Sequence, residues 1–212
     1  MDRKEEILYA TLELASEHGL KSVSMSQIAE RVGIKAPSLY NHFRSKDEIV
    51  QAMYGYLREK AQKGRASAFT DPAAFAAESL EQILTESLSA YLGMVTDRDM
   101  LLFFRVLYSA RSIDPLAAKI VLEETEHMIR ATKNLFYALA VHGKMKSEGI
   151  DTAAMTFALT AHALIDYRMD KITAGIADRF GNDQNPCTKE LTAFVKWFSA
   201  QVEGEQHEQE TH

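Results

Sequence analysis

SMSQIAERVGIKAPSLYNHFRSKDEI, residues 24–49, carries start and stop signals for two short helices and the opening of a third. Ser24 with Gln27 three residues on is a capping box: the hydroxyl can accept from the Gln27 amide while the Gln27 side chain returns to the Ser24 amide. Ile28, Ala29 and Val32 then give one apolar face over about two turns. Gly33 stops that helix, because glycine enters the left-handed conformation of a tight exit without a Cβ penalty. Ile34 plugs the turn. A second helix starts around Ala36 and Pro37, where a proline in the first turn sacrifices no intrahelical donor. Leu39 and Phe43, four apart, are its buried positions. Ser45 and Glu48 form a second capping box ahead of the next helix. Two short helices about a glycine turn, with small Ala29 where they must cross closely, make a helix-turn-helix.

Burying Leu39 and Phe43 leaves Lys35, Ser38, Tyr40, Asn41 and His42 on the outer face of the second helix. Each can donate a hydrogen bond to a phosphate or a base edge. Between Arg31 and Lys46 stand four basic residues, Arg31, Lys35, Arg44 and Lys46, and no acidic one. A solvated hairpin, or one used for protein contacts, has no need of an acid-free, donor-rich window, so the pattern favours duplex DNA.

The run IAERVGIKAPSLYNHFRSKDEI resembles the DNA-binding signature of the tetracycline-repressor (TetR) family, most specifically through Leu39-Tyr40-x-His42-Phe43-x-x-Lys46. The resemblance implies that Ala36, Pro37, Ser38, Tyr40, Asn41 and His42 lie on the recognition helix and that Tyr40 and Lys46 grip phosphate. With Ser26 and Lys35 these complete the expected DNA-binding set. Lys35 departs from the family pattern, standing where a Ser, Thr or Asp cap is common; that weakens the cap and adds a charge beside the DNA. The resemblance also implies a homodimer on a palindromic operator and an inducer pocket in the middle of the chain.

Bulk properties agree with a DNA-binding head on an acidic body. The 212 residues are 46% hydrophobic and 25% charged, with a net charge of −6. The first 64 residues hold ten Lys/Arg against nine Asp/Glu, and the remainder fourteen against twenty-one, so the acidity belongs to the C-terminal part. The field near residues 31–46 is therefore locally positive. A single Cys187 excludes an intramolecular disulfide and fits a reducing cytoplasm. No apolar run approaches the ~18–20 residues of a membrane span, and the N-terminus lacks a signal-like core.

No strand-like alternation or hairpin signal occurs, and the prolines fall at helix starts, in Asp71-Pro72, Asp114-Pro115 and Asn185-Pro186. The fold class is all-α: an N-terminal three-helix DNA-binding domain, residues 1–63, followed by a larger helical effector-binding and dimerisation domain, 64–203, and a disordered tail, 204–212. Helices are expected over 3–18, 46–63, 73–94, 98–110, 115–141, from 151 to 179, and 187–202. The boundary falls in the small, polar stretch 64–72.

The helix after 151 carries two apolar stripes, one through Met155, Leu159, His162, Ile165 and Met169, the other through Phe157, Ala161 and Leu164. A helix apolar on two sides needs two partners. Paired with the stripe Leu191, Phe194, Val195, Phe198 and Val202, it suggests a four-helix dimer bundle, with Leu159, Ile165, Met169, Phe194 and Phe198 at the interface. The middle helices are rich in Met and aromatics, which suit variable ligands as well as plain core. Phe103, Phe104, Met128 and Tyr137, with Arg105 and His162 as polar anchors, are the candidate lining for a small apolar or aromatic effector.

Two constellations allow an enzyme or metal-carrier reading. Glu124-x-x-His127 is half of a di-metal carboxylate motif, but no other His has a Glu three residues before it. His162, Asp166 and Asp170 form a ladder on one helix, whereas metal sites draw ligands from several elements. No phosphate loop, nucleophile elbow or zinc pattern occurs, so neither catalysis nor a cofactor is expected. The reading is a ligand-responsive, homodimeric DNA-binding regulator, with repression as the default outcome.

Overall fold

The computed structural model describes residues 2–65, 78–95, 97–176 and 188–204. Among these residues the regular structure is helical, apart from an isolated antiparallel bridge between Met145 and Glu203. The helices are α1 (Arg3–His18), α2 (Met25–Val32), α3 (Ala36–Tyr40), α4 (Lys46–Arg65), α5 (Leu80–Val95), α6 (Arg98–Ala110), α7 (Pro115–Val141), α8 (Ile150–Thr173) and α9 (Lys189–Val202), with one 3-10 turn at Leu20–Ser22. No helix of the described residues is long and apolar enough to cross a membrane.

Short-range polar contacts set most helix starts. Asp2 and Glu5 box α1, the Glu5 amide donating to Asp2 Oδ1 at 2.8 Å and the Asp2 amide to Glu5 Oε2 at 3.0 Å. Asp97 accepts from the amides of Asp99 and Met100 to open α6. Asp114 accepts from the Leu116 amide at 2.9 Å ahead of Pro115, and Thr188 from the Leu191 amide at 3.3 Å. Ser79 and Gln82 make a further box at the start of α5, which the sequence signals above do not include. The far end of α8 differs from expectation. It stops at Thr173 rather than 179, because Gly175 takes a positive φ of 71° and closes a Schellman motif, with Gly175 N–H on Ile172 and Ile176 N–H on Lys171. Residues 66–77, 177–187 and 205–212 lie outside the described residues. With them go residues 66–72 of the boundary stretch, Asp71-Pro72, Asn185-Pro186, position 187 and most of the expected tail. The helix expected from 73 starts only at Leu80, because residues 78–79 are not helical and Ser79 caps the helix there.

The chain divides into two compact units, neither of them a contiguous run: Met1–Ser67 with Met94–Leu122, and Ala68–Gly93 with Glu123–His212. Residues 1–63 are thus only part of the first unit, which also takes in α6 and the start of α7. Its core joins Ile7 and Leu12 of α1, Ile28 of α2, Leu39 of α3, Met53 and Leu57 of α4, and Phe103 and Leu107 of α6. Each such side chain contributes about 1.5–3 kcal/mol on burial. On the polar side of this packing, Lys60 of α4 donates to Asp99 of α6 at 2.6 Å.

The second unit is centred on phenylalanines. Phe136 of α7, Phe157 of α8 and Phe194 and Phe198 of α9 pack with ring centroids 5.0–5.8 Å apart. Such tilted pairs add about 0.5–1.5 kcal/mol each beyond area burial.

Candidate nucleic-acid interface

The helix-turn-helix is assembled by contacts within a few residues. Ser24 and Gln27 form the reciprocal box, the Ser24 amide donating to Gln27 Oε1 at 2.8 Å and the Gln27 amide to Ser24 Oγ at 3.3 Å. Gly33 sits at φ 73°, ψ 31°, its amide on the Glu30 carbonyl at 3.0 Å and the Ile34 amide on that of Ala29 at 2.9 Å. Those two bonds complete a Schellman motif and fix the angle at which α3 departs. Ile28 and Leu39 are 0% exposed and Ala29 2%, so the apolar side of both helices is spent on the core. The second helix is shorter than expected: α3 ends at Tyr40, and Asn41, His42 and Phe43 lie in the turn after it, Phe43 reaching the core at 5% exposure.

What remains outside is the candidate surface. Ser26, Lys35, Pro37, Ser38, Tyr40 and Asn41 are exposed, Tyr40 at 54%; Ala36, His42 and Lys46 are half-buried. Lys35 occupies the N-cap of α3 and makes no side-chain cap. The Ser45–Glu48 box is only half closed. The Glu48 amide reaches Ser45 Oγ at 3.2 Å, but the carboxylate accepts from the Arg44 amide at 2.6 Å.

The basic residues of this region play unequal parts. Arg31 lies across α1, with its guanidinium 3.4 Å from Glu13 and 3.1 Å from Glu17. The Glu17 carboxyl is held below its ordinary value by the hydrogen bond from Arg31, and the Arg31 pKa is raised by the same bond. Glu13 is shared with Arg98 of α6 at 3.0 Å. Counting Arg31 into a positive DNA face is therefore an overcount, since two carboxylates from another helix neutralise it. Lys46 donates to the carbonyls of Leu20 and Lys21. Lys21 is exposed on the 3-10 turn, outside the basic window 31–46.

The candidate effector residues fall in both units. Phe103, Phe104 and Arg105 belong to the first, Met128, Tyr137 and His162 to the second. Phe103 is fully buried, its centroid 6.2 Å from Tyr54 and 5.6 Å from Phe104, so it serves the core of the first unit. Arg105 is exposed, and Met128 and His162 are half-buried. Tyr137 is exposed, and its hydroxyl donates to Asp151 Oδ1 at 2.9 Å beside the Lys133–Asp151 ion pair. Among the described residues, no group of three or more His, Cys, Asp and Glu could hold a metal ion.

The candidate interface residues divide by burial. Ile165 and Phe198 are buried within the chain, at 8% and 4% exposure, and Met169 and Phe194 partly so. Leu159 is exposed at 42%, in company with Met155 and Tyr167 of α8 and Trp197 of α9, the last at 59%. Trp197, exposed and off the apolar stripe of α9, is absent from the expected interface set.

The comparisons with known proteins bear on both units. A model described as "Bacterial regulatory proteins, tetR family" matches residues 7–53. One for the C-terminal domain of AefR-like transcriptional repressors matches 82–169. The HTH-type transcriptional repressor KstR of Mycolicibacterium smegmatis is 37% identical over 75 residues, 35% of this chain and 34% of that protein. The class C tetracycline repressor protein of Escherichia coli is 31% identical over 51 residues, 24% of this chain and 23% of that protein. The chain spans less than half the length of the curated relatives it matches. A TetR-family transcriptional regulator from Mesorhizobium loti superposes with a TM-score of 0.70 at 18% identity, covering 96% of this chain and 100% of that one. At that identity the likeness is one of fold.

Proposed function

The chain belongs to the TetR family of bacterial regulatory proteins, and from that premise we propose that it is a homodimeric DNA-binding repressor, released from a palindromic operator by a small effector. It is a regulator and not an enzyme, and it acts in the cytoplasm, where its DNA is. The observation that carries the proposal is the outer face of α3 and of the turn that follows it. Leu39 and Phe43 are spent on the core, while Ser38, Tyr40 and Asn41 stand in solvent beside Lys35. A helix stabilised from behind, with donors in front, suits a major groove. Tyr40 and Lys46 are assigned to phosphates. Ser26, Lys35, Ala36, Pro37, Ser38, Asn41 and His42 are assigned to the groove and its rim.

Dimerisation is assigned to the exposed apolar residues of α8 and α9, chiefly Leu159, Met155, Tyr167 and Trp197. Two heads on one operator gain avidity that a single head lacks. The effector is proposed to be apolar or aromatic, on the strength of the Met and aromatic content of the middle helices. Its differential affinity for two states of the dimer would weaken DNA binding, with a coupling of about 1–3 kcal/mol in both directions.

The test is enrichment of duplexes from a random pool by the full chain, followed by salt titration of the winning sequence. A palindromic consensus is expected, with affinity falling steeply as salt rises because bound phosphates release counterions. Asn41→Ala should alter the preferred base by about 1–3 kcal/mol, as removal of a base-edge hydrogen bond does. A pool that shows no enrichment would remove the reading.

A further inference from the structure

Lys46, the first residue of α4, is turned back onto the segment between α1 and α2. Its ammonium donates to the Leu20 carbonyl at 3.2 Å and to the Lys21 carbonyl at 3.3 Å. An ammonium has three protons, so one is left for another acceptor. The 3-10 turn Leu20–Ser22 fully buries none of its own side chains. Its place is set by Leu20, which packs half-buried against the core, by Val23, which is 3% exposed, and by the two bonds from Lys46 to its backbone. Lys21 and Ser22 are exposed, and among the described residues Lys21 pairs with no carboxylate. The backbone of one cationic residue is thus tied to the cation of another, on the edge of the helix-turn-helix where α4 begins. Arg31 contributes no free charge here, since Glu13 and Glu17 take it up.

We propose that Lys21 binds the DNA backbone, and that Lys46 is the positioning residue that places it by holding the Leu20 and Lys21 carbonyls; this rests on the DNA-binding reading above. Lys46 then has two tasks, a direct phosphate contact through its remaining proton and an indirect one through the turn. Neither reads sequence, so both act on affinity and on salt dependence while leaving the preferred operator unchanged.

The experiment compares Lys21→Gln, Lys46→Met and the double variant on a duplex enriched by the wild-type chain, measuring affinity against salt. Each phosphate that is no longer neutralised lowers the slope of log K on log salt by about 0.9. Lys21→Gln should lower it by about that amount per head, and Lys46→Met by about twice as much. The double variant should fall no further than Lys46→Met alone, because Lys21 is already out of place there. Lys21 is exposed, so its variant folds, and circular dichroism verifies this for all three. An unchanged slope in Lys21→Gln would overturn the phosphate role of Lys21. Full additivity in the double variant would overturn the positioning role of Lys46. Failure of the wild type to bind any duplex in a salt-dependent way would instead remove the DNA-binding reading itself.

Discussion

Tyr54 of α4 offers a test of the packing of the first unit, through its hydroxyl. The residue is 1% exposed, its ring edge-on to Phe103, and the hydroxyl meets no hydrogen-bond partner among the described residues. Burial, with a smaller contribution from the charge of Asp114, pushes the phenol up from 10.0 to about 12. A buried hydroxyl left unpaired costs about 1–3 kcal/mol. Tyr54→Phe removes the oxygen and keeps the ring, so it should stabilise the protein; the small void left behind takes back part of the gain. The expected net is about 1 kcal/mol, or about 2–4 °C in Tm for a chain of this size. Thermal and urea unfolding, followed by circular dichroism at equal protein concentration, measure it.

The same substitution has a second readout in alkali. A phenol whose folded pKa lies above its unfolded value contributes stability fully present below about 10 and lost as pH rises towards about 12. Tyr9 is pushed up to about 12 as well, chiefly by burial, and it stays in the variant. Tyr54→Phe should therefore lose stability less steeply than wild type in that window, and not lose it entirely. A variant destabilised by about 1 kcal/mol or more at neutral pH would show that the hydroxyl has a partner and refute the reasoning.

Trp197→Asp should give a folded monomer, since the side chain is 59% exposed, whereas Phe198→Ala should cost about 3–5 kcal/mol by opening the phenylalanine cluster. Sedimentation and unfolding distinguish the two, and a Trp197→Asp chain that still dimerises would exclude that face. Glu190 is held at about 2, first by the hydrogen bond from Lys171 and then by its own backbone amide. Its contribution is present above about 4.5 and lost as pH falls towards about 2. Because Glu190 is 42% exposed, the pair is worth no more than about 1 kcal/mol. The difference between wild type and Glu190→Gln should shrink over that range, and a constant difference would contradict the assignment. Ser24→Ala should cost about 1 kcal/mol through removal of the α2 cap, read as a lowered Tm.

Local chemistry was the legible part of this sequence. Ser24 with Gln27, Gly33 and Asp114-Pro115 act over three or four residues, and each helix end they imply is where those contacts form. Such signals depend on backbone donors that the adjacent side chain must satisfy, whatever the rest of the chain does. The end of α8 was missed for a reason of the same kind. Its apolar spacing runs on to Ile176, but the backbone at Gly175 turns left-handed, and a turn overrides a pattern.

Allocation of side chains among competing partners was not legible. Phe198 and Trp197 are neighbours on α9, one enclosed by three phenylalanines and the other in solvent, and apolar character alone cannot say which is kept for the chain's own core. Arg31 likewise reads as one of four cations in an acid-free window, yet Glu13 and Glu17, fourteen to eighteen residues earlier, come within salt-bridge distance because α1 packs on α2. Counting charge along a sequence window assumes that neighbours in sequence share a face. Here the fold moves a positive charge off that face and ties the turn bearing Lys21 to Lys46, so the cations left exposed there are set by the packing of α1 and α4 around the helix-turn-helix.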